Sequence, residues 1–285
     1  MSVDAESTTL SLEVAGRQYA LLQRPRSLDH AFAVWDAGIG FVRYVERQRR
    51  VLASLHGRRV LEVGAGCALV SMVCAAAGAC VLATDLPHAV GHMAGCVAAN
   101  GFRSKGGGGG GGSEAGAAGS LDVAALAWGD VDGVDTLLRE HGGAFDVIVG
   151  TDVVYQDRLV RSLLRSVALL ALAARRERDG GEVAGSGRGA GGEDGGEESD
   201  GGEGGGGGGK GGAPQRRTTV YLANEARDEG TSALFAELFS RLFHSKLLPA
   251  KLYGAESAGT SLRIYEGKLR PSMTRETILE VTREA

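Results

Sequence analysis

Two short segments carry side chains that could do chemistry together. Glu62-Val-Gly-Ala-Gly-Cys67 sets Gly64 and Gly66 on either side of Ala65, directly after an apolar run. Glycines so placed let a ligand approach the backbone closely, because no side chain stands in the way. Glu62 lies two positions before the first glycine, and Asp85 closes the next apolar run. That second acid falls about 20 residues on, the spacing at which a carboxylate accepts hydrogen bonds from ribose hydroxyls. The second segment, Asp152-Val-Val-Tyr155, ends another apolar run. A carboxylate and a phenol there could orient an ammonium group through charge, hydrogen bonding or cation–π contact. On residue type alone, Asp152 serves equally well as a helix cap and Tyr155 as a packing residue.

The elements that must position these residues follow from hydrophobic periodicity. Residues 10–23 alternate around Gly16 and read as a hairpin, and 36–52 as one amphipathic helix. Strand 59–63, the glycine turn, helix 68–77, strand 81–85 and helix 87–100 then open a right-handed βαβ unit. Strands at 121–128, 145–151 and 218–224 alternate with helices at 159–174 and 232–243, and residues 246–253 and 261–266 read as a closing antiparallel pair. The expected fold is a doubly wound α/β domain of about seven mostly parallel strands with a terminal antiparallel hairpin, preceded by a short β hairpin. Its expected organisation is an N-terminal extension at 1–30, the main domain at 31–270 and a tail at 271–285. Two glycine-rich stretches, 105–119 and 175–215, hold too little apolar surface to offset their ordering entropy and are expected to be flexible inserts, the second one acidic.

A strand, glycine turn, helix, strand and acid could serve a nicotinamide dinucleotide or a methyl donor. In the dinucleotide fingerprint a third glycine allows close helix packing and the helix faces a pyrophosphate. Leu69 stands at that position. S-Adenosyl-L-methionine carries no phosphate and needs room beside the turn instead, so this departure favours the methyl donor. Trp128, at a strand end, offers a flat apolar face that would suit adenine, or equally the core.

Taken in order, Val34-Trp35-Asp36-Ala37, Val60-Leu-Glu-Val-Gly-Ala-Gly66, Ala83-Thr-Asp-Leu-Pro87, Ala127-Trp-Gly-Asp130 and Gly150-Thr-Asp-Val-Val-Tyr155 resemble the protein-lysine methyltransferases of methyltransferase-like family 16, in the seven-stranded class. The resemblance covers most of residues 24–266 outside the two inserts. It implies that Gly64, Ala65 and Gly66, with Glu62 before them, line the methionine and ribose side of the donor, that Asp85 binds the ribose, and that Trp35, Trp128 and the backbone of Thr151 also meet it. It implies that Asp152 and Tyr155 receive the substrate amine, with no metal and no covalent nucleophile. Two positions depart from the pattern: Thr151 replaces a frequent alanine and Ala68 a common glycine. Asn224-Glu-Ala-Arg227 resembles a family stretch without an assigned role and reads as surface salt bridging. The expected activity is methylation of a lysine in an intracellular protein. A small-molecule N-methyltransferase and a non-catalytic donor-binding scaffold are the competing readings, since a fold does not dictate its acceptor.

Composition narrows the partners. A net charge of −4 gives no basic surface for nucleic acid, and the apolar run 160–174 is interrupted by Arg161 and Arg165, so neither nucleic acid nor membrane is expected. Cys67, Cys74, Cys80 and Cys96 show no CxxC spacing and no neighbouring histidine cluster, which suits reduced, packed thiols. The first residues are acidic and lack a leader pattern. A cytoplasmic monomer is expected, with the nucleus also open to it.

Overall fold

The computed structural model describes residues 7–24, 30–102, 119–179, 217–254 and 261–283. Seven strands form one sheet in the order β5-β4-β3-β6-β7-β9-β8: β3 (Arg59–Val63), β4 (Cys80–Asp85), β5 (Ser120–Ala125), β6 (Val147–Thr151), β7 (Thr219–Glu225), β8 (Phe243–Leu247) and β9 (Leu262–Leu269). The first five pair in parallel, whereas β9 runs antiparallel between β7 and β8. A separate hairpin, β1 (Thr8–Val14) with β2 (Arg17–Gln23), precedes them. This is the expected α/β architecture with both of its hairpins.

From β3 the chain winds outward through β4 and β5, then returns to place β6 on the other flank of β3. The strand order therefore reverses between β3 and β6, and open α/β sheets bind ligands at the carboxyl ends of strands flanking such a reversal. Alternation along each strand sends side chains to two faces. Val60, Val81, Ala83 and Val149 join α1 (Asp36–Arg47), α3 (Leu69–Ala76) and α4 (Val90–Ala99) in one core. Leu61, Val63, Leu82 and Ile148 face the other, built with α5 (Val131–Glu140), α6 (Asp157–Asp179) and α7 (Glu229–Leu242). Covered on both faces, the parallel strands read as continuous apolar runs.

Several boundaries differ from the periodicity. The helix expected over 36–52 is two, α1 and α2 (Arg49–Ser54), because Gln48 leaves helical backbone at ψ 71° and its Nε2 donates to the Leu252 carbonyl. The helix expected from Pro87 begins at Val90, after a turn closed by Ala89 N–H to the Leu86 carbonyl. Two helices appear that periodicity did not mark. Asp130 caps α5 by accepting from Gly133 N–H, and Thr274 caps α8 (Arg275–Val281) by accepting from Thr277 N–H. The strand expected at 246–253 is β8, which starts as α7 ends; a short 3-10 turn occupies Ala250–Leu252. Helix α6 runs through Asp179, into the region expected to be insert. Residues 103–118 and 180–216, which hold nearly all of both glycine-rich inserts, lie outside the described residues.

The arginines that interrupt α6 have local partners. Arg165 donates to the carbonyl and hydroxyl of Thr282, and Arg161 to the Val281 carbonyl, so both dock α8. Among the described residues no helix is long and apolar enough to cross a membrane. At the other end, Asn100 fastens the β1-β2 hairpin to α4 by exchanging hydrogen bonds with the backbone of Ala20 and donating to the Cys96 carbonyl.

Gly267 in β9 is a packing constraint at the sheet's antiparallel end. A β-carbon there would lie 2.6 Å from Cζ of Phe239, which is itself stacked between Phe235 and Phe243. Gly267→Ala is expected to lower stability by about 1–3 kcal/mol, as overpacking does, read as a reduced urea midpoint with unchanged slope.

Candidate active site

The glycine turn after β3 is built by two buried acids. Gly64 and Gly66 adopt positive φ of 64° and 53°, which glycine reaches without strain. At Gly64 a β-carbon would sit 2.8 Å from the indole of Trp128 and 2.9 Å from Val153, so this position also requires glycine for space. Beneath the turn, one Glu62 carboxylate oxygen accepts from both the N–H and the hydroxyl of Ser71, in the first turn of α3. Asp85 reaches across from β4: Oδ2 accepts from Gly66 N–H at 2.8 Å and Oδ1 from Leu86 N–H at 2.7 Å. Burial pushes the Glu62 carboxyl up to about 8, against the pull of its Ser71 hydrogen bonds, and the neighbouring Asp85 charge adds to the rise.

Beside this turn lies a cavity of about 630 Å³. Its lining brings together all ten residues singled out in the sequence: Trp35, Glu62, Gly64, Ala65, Gly66, Asp85, Trp128, Thr151, Asp152 and Tyr155. Trp128 stands between the turn and Tyr155, with ring centroids 6.3 Å apart. The Thr151 hydroxyl is accommodated by Gly38 of α1, where a β-carbon would come within 3.3 Å of Oγ1. The extra hydroxyl therefore faces the helix that bears the missing side chain.

The end of β6 supplies the other wall. Asp152 adopts φ 55°, a left-handed conformation that Asp tolerates better than most residues. Its N–H donates to the Ala223 carbonyl on β7, its Oδ2 meets the Arg227 guanidinium at 3.1 Å, and its Oδ1 is buried without a hydrogen bond. Burial raises the Asp152 carboxyl above its ordinary value, opposed first by Arg227. Asp152 thus faces Arg227 and does not cap α6.

Arg227 and Asn224 are residues whose part the sequence reading left unassigned. Arg227 pairs with Asp152 and Glu225, and its guanidinium lies 4.7 Å over the ring of Trp35. Asn224 Oδ1 accepts from Val154 N–H at 2.9 Å. Both follow from topology: β6 and β7 are parallel neighbours, so their carboxyl ends share one edge. The polar cluster at the end of β7 was the available signal.

The chemistry of the lining discriminates between ligands. Asp85 and Asp152 contribute carboxylates and Glu62 a carboxyl that burial keeps largely protonated at neutral pH, and among the described lining residues there is no lysine or arginine. Two amides of the turn and helix are already engaged, Gly66 by Asp85 and Ser71 by Glu62. A pyrophosphate would meet the Asp85 carboxylate and no basic side chain in this lining. A cationic, phosphate-free nucleoside fits, with acids for its amino and hydroxyl groups and indoles for its base.

Comparison with known proteins agrees. Across 95% of the chain the fold matches the 16S rRNA methyltransferase RsmC of T. thermophilus, at 15% identity and a TM-score of 0.52, covering 52% of that protein. The architecture is that of the class I methyltransferases. A family model described as lysine methyltransferase matches residues 20–175, more than half of the chain. The chain belongs to the lysine methyltransferase family, whose members use S-adenosylmethionine as donor. Relatives include zebrafish (Danio rerio) protein N-lysine methyltransferase METTL21A, 31% identical over 58% of this chain and 71% of that one. Another is mouse (Mus musculus) EEF1A lysine methyltransferase 3, 29% identical over 53% of this chain and 56% of that relative's length.

The buried acid beneath the turn has a measurable consequence. The Glu62 carboxyl rises from 4.5 unfolded to about 8 folded. Its contribution is fully present below the unfolded value and is lost as pH rises through the folded one. Glu62→Gln stays neutral throughout, so the melting temperature of the parent protein should fall relative to this variant between pH 5 and about 8. Thermal melts of both proteins across that window, without donor, check it; parallel curves would contradict the buried-acid assignment.

Proposed function

We propose that the chain methylates a lysine side chain of a protein, with Asp152 and Tyr155 receiving the amine and the glycine turn holding the donor. Family membership and a cavity lined by acids and indoles, with no lysine or arginine among its described residues, support the donor. The names of the zebrafish and mouse relatives support a protein lysine as acceptor. When bound, S-adenosylmethionine supplies an electrophilic methyl group that a neutral amine can take.

The chain's own residues divide the remaining work. Gly64, Ala65 and Gly66 let the donor lie against backbone, Asp85 and Glu62 receive its hydroxyl and amino groups, and Trp128, Trp35 and Thr151 enclose it. The single observation that carries the acceptor assignment is that Asp152, a buried acid at the end of β6, lines the cavity together with Tyr155 and Trp128. Asp152 would first attract the charged amine and then hold it in line as its proton is lost. Tyr155 would supply an aromatic wall to the lysine's aliphatic stem and charged head. Arg227 acts through Asp152: it fixes the carboxylate and limits how far burial raises it, so it is a positioning residue.

The same reading has the protein act as a cytoplasmic monomer, with the nucleus a second compartment, on protein and not on nucleic acid. Four free cysteines and a net charge of −4 support it.

Incubating the purified chain with methyl-labelled S-adenosylmethionine and a cell lysate, then locating the label by mass spectrometry, tests the proposal. Methyl-lysine in a discrete protein is the expected product. Asp152→Asn should retain donor affinity while transfer falls about 100-fold or more, the scale of a lost acid–base group. Label confined to small molecules would refute the protein acceptor, and unimpaired transfer by Asp152→Asn would refute the role of Asp152.

A further inference from the structure

We propose that Cys67, His92 and Cys96 form a zinc site that ties the donor turn to the N-terminal hairpin and α4. The three residues come from two places in the chain: Cys67 follows Gly66 at the glycine turn, while His92 and Cys96 stand four apart on one face of α4. His92 Nε2 lies 3.6 Å from Cys67 Sγ and 3.7 Å from Cys96 Sγ, and all three ligand atoms fall within 4.8 Å of one another. Tetrahedral zinc, with Zn–S of about 2.3 Å and Zn–N of about 2.0–2.1 Å, requires sulfur-to-nitrogen separations of about 3.6 Å. The separations match before any ion draws the ligands together.

A fourth oxygen is in position. The Leu22 carbonyl, on β2, lies 3.3 Å from Cys67 Sγ and 3.6 Å from Cys96 Sγ. Two soft sulfurs and an imidazole, with one oxygen, select zinc over magnesium or calcium, which take oxygen ligands. Both cysteines are buried and His92 is partly so, with Phe32 packed edge-on to its ring at 4.8 Å. Such cover excludes water and favours a structural over a catalytic ion.

Zinc binding would deprotonate both thiols and release their protons. Three segments, β2, the turn after Gly66 and the middle of α4, would then share one ion in place of the thiol contacts to the Leu22 carbonyl. Because Cys67 lines the donor cavity, the ion would stiffen that wall without touching the reacting groups. The site stands independently of the acceptor assignment, as no residue is shared with it.

The test uses the full chain purified under reducing conditions. Elemental analysis should find stoichiometric zinc. Replacement by Co²⁺ should produce a thiolate charge-transfer band together with the intense visible bands of tetrahedral coordination. Both signatures should vanish in His92→Ala and Cys96→Ser and persist in Cys80→Ser, whose thiol is exposed and remote. His92 is only partly buried, so that variant is expected to fold, with circular dichroism as the check. Added zinc should raise the melting temperature of the parent chain but not of His92→Ala. Reduced protein that takes up no Co²⁺, or metal binding that survives both His92→Ala and Cys96→Ser, would overturn the proposal. So would a Cys67–Cys96 disulfide whose reduction leaves a chain that still binds no metal.

Discussion

The arrangement of buried carboxylates at the carboxyl end of β3 and β4 is the constraint on which the rest of the site depends. A helix N-terminus and a glycine turn ordinarily present free amides, and free amides attract phosphate. Here Glu62 accepts from Ser71 and Asp85 from Gly66. These bonds tie the turn to β4 and α3 and engage two of its amides. What remains is a pocket whose fixed charge is negative and whose walls are apolar or aromatic. One pair of acids thus shapes the backbone that borders the cavity.

A third buried acid organises the opposite wall. Asp152 sits in left-handed backbone at the end of β6, and its orientation depends on a neighbour distant in sequence, Arg227. The guanidinium also lies over Trp35, which precedes α1. Removing the arginine would leave an uncompensated buried charge, so the carboxylate, the cation and the indole behave as one unit. Asn224 reinforces it by holding the Val154 backbone. The two walls meet at the point where the strand order reverses, and the double-sided core of the sheet keeps their separation fixed.

The difference between the walls follows from where their partners reside. Glu62, Ser71 and Asp85 lie within one βαβ unit, so local sequence contains nearly all of that wall. Asp152, Arg227 and Trp35 come from three separate elements, and α1 must pack across the sheet before the indole reaches the guanidinium. Cys67 and Cys96 show the same dependence. Their spacing suits packed thiols, and the His92-to-Cys96 interval gains meaning only once α4 is seen to present both to the turn.

Short apolar runs and the order of strand, turn and helix were sufficient to specify a doubly wound sheet, because strands buried on both faces are apolar throughout and stand out against the amphipathic helices between them. The glycine turn, Asp85 and the Asp152-Val-Val-Tyr155 segment were legible for the same reason: each occupies the end of an apolar run, and parallel strands bring those ends to one edge. Helix boundaries were less legible where the deciding contact is remote, as at Gln48, whose hydrogen bond to Leu252 breaks what periodicity joins. Short α5 and α8 escaped because each buries few residues and is defined by its cap and its docking partner. The role of Arg227, the engagement of the turn amides and the meeting of His92 with two thiols were decided only by tertiary structure. Each depends on the distance between side chains carried by different elements, and no local pattern encodes that distance.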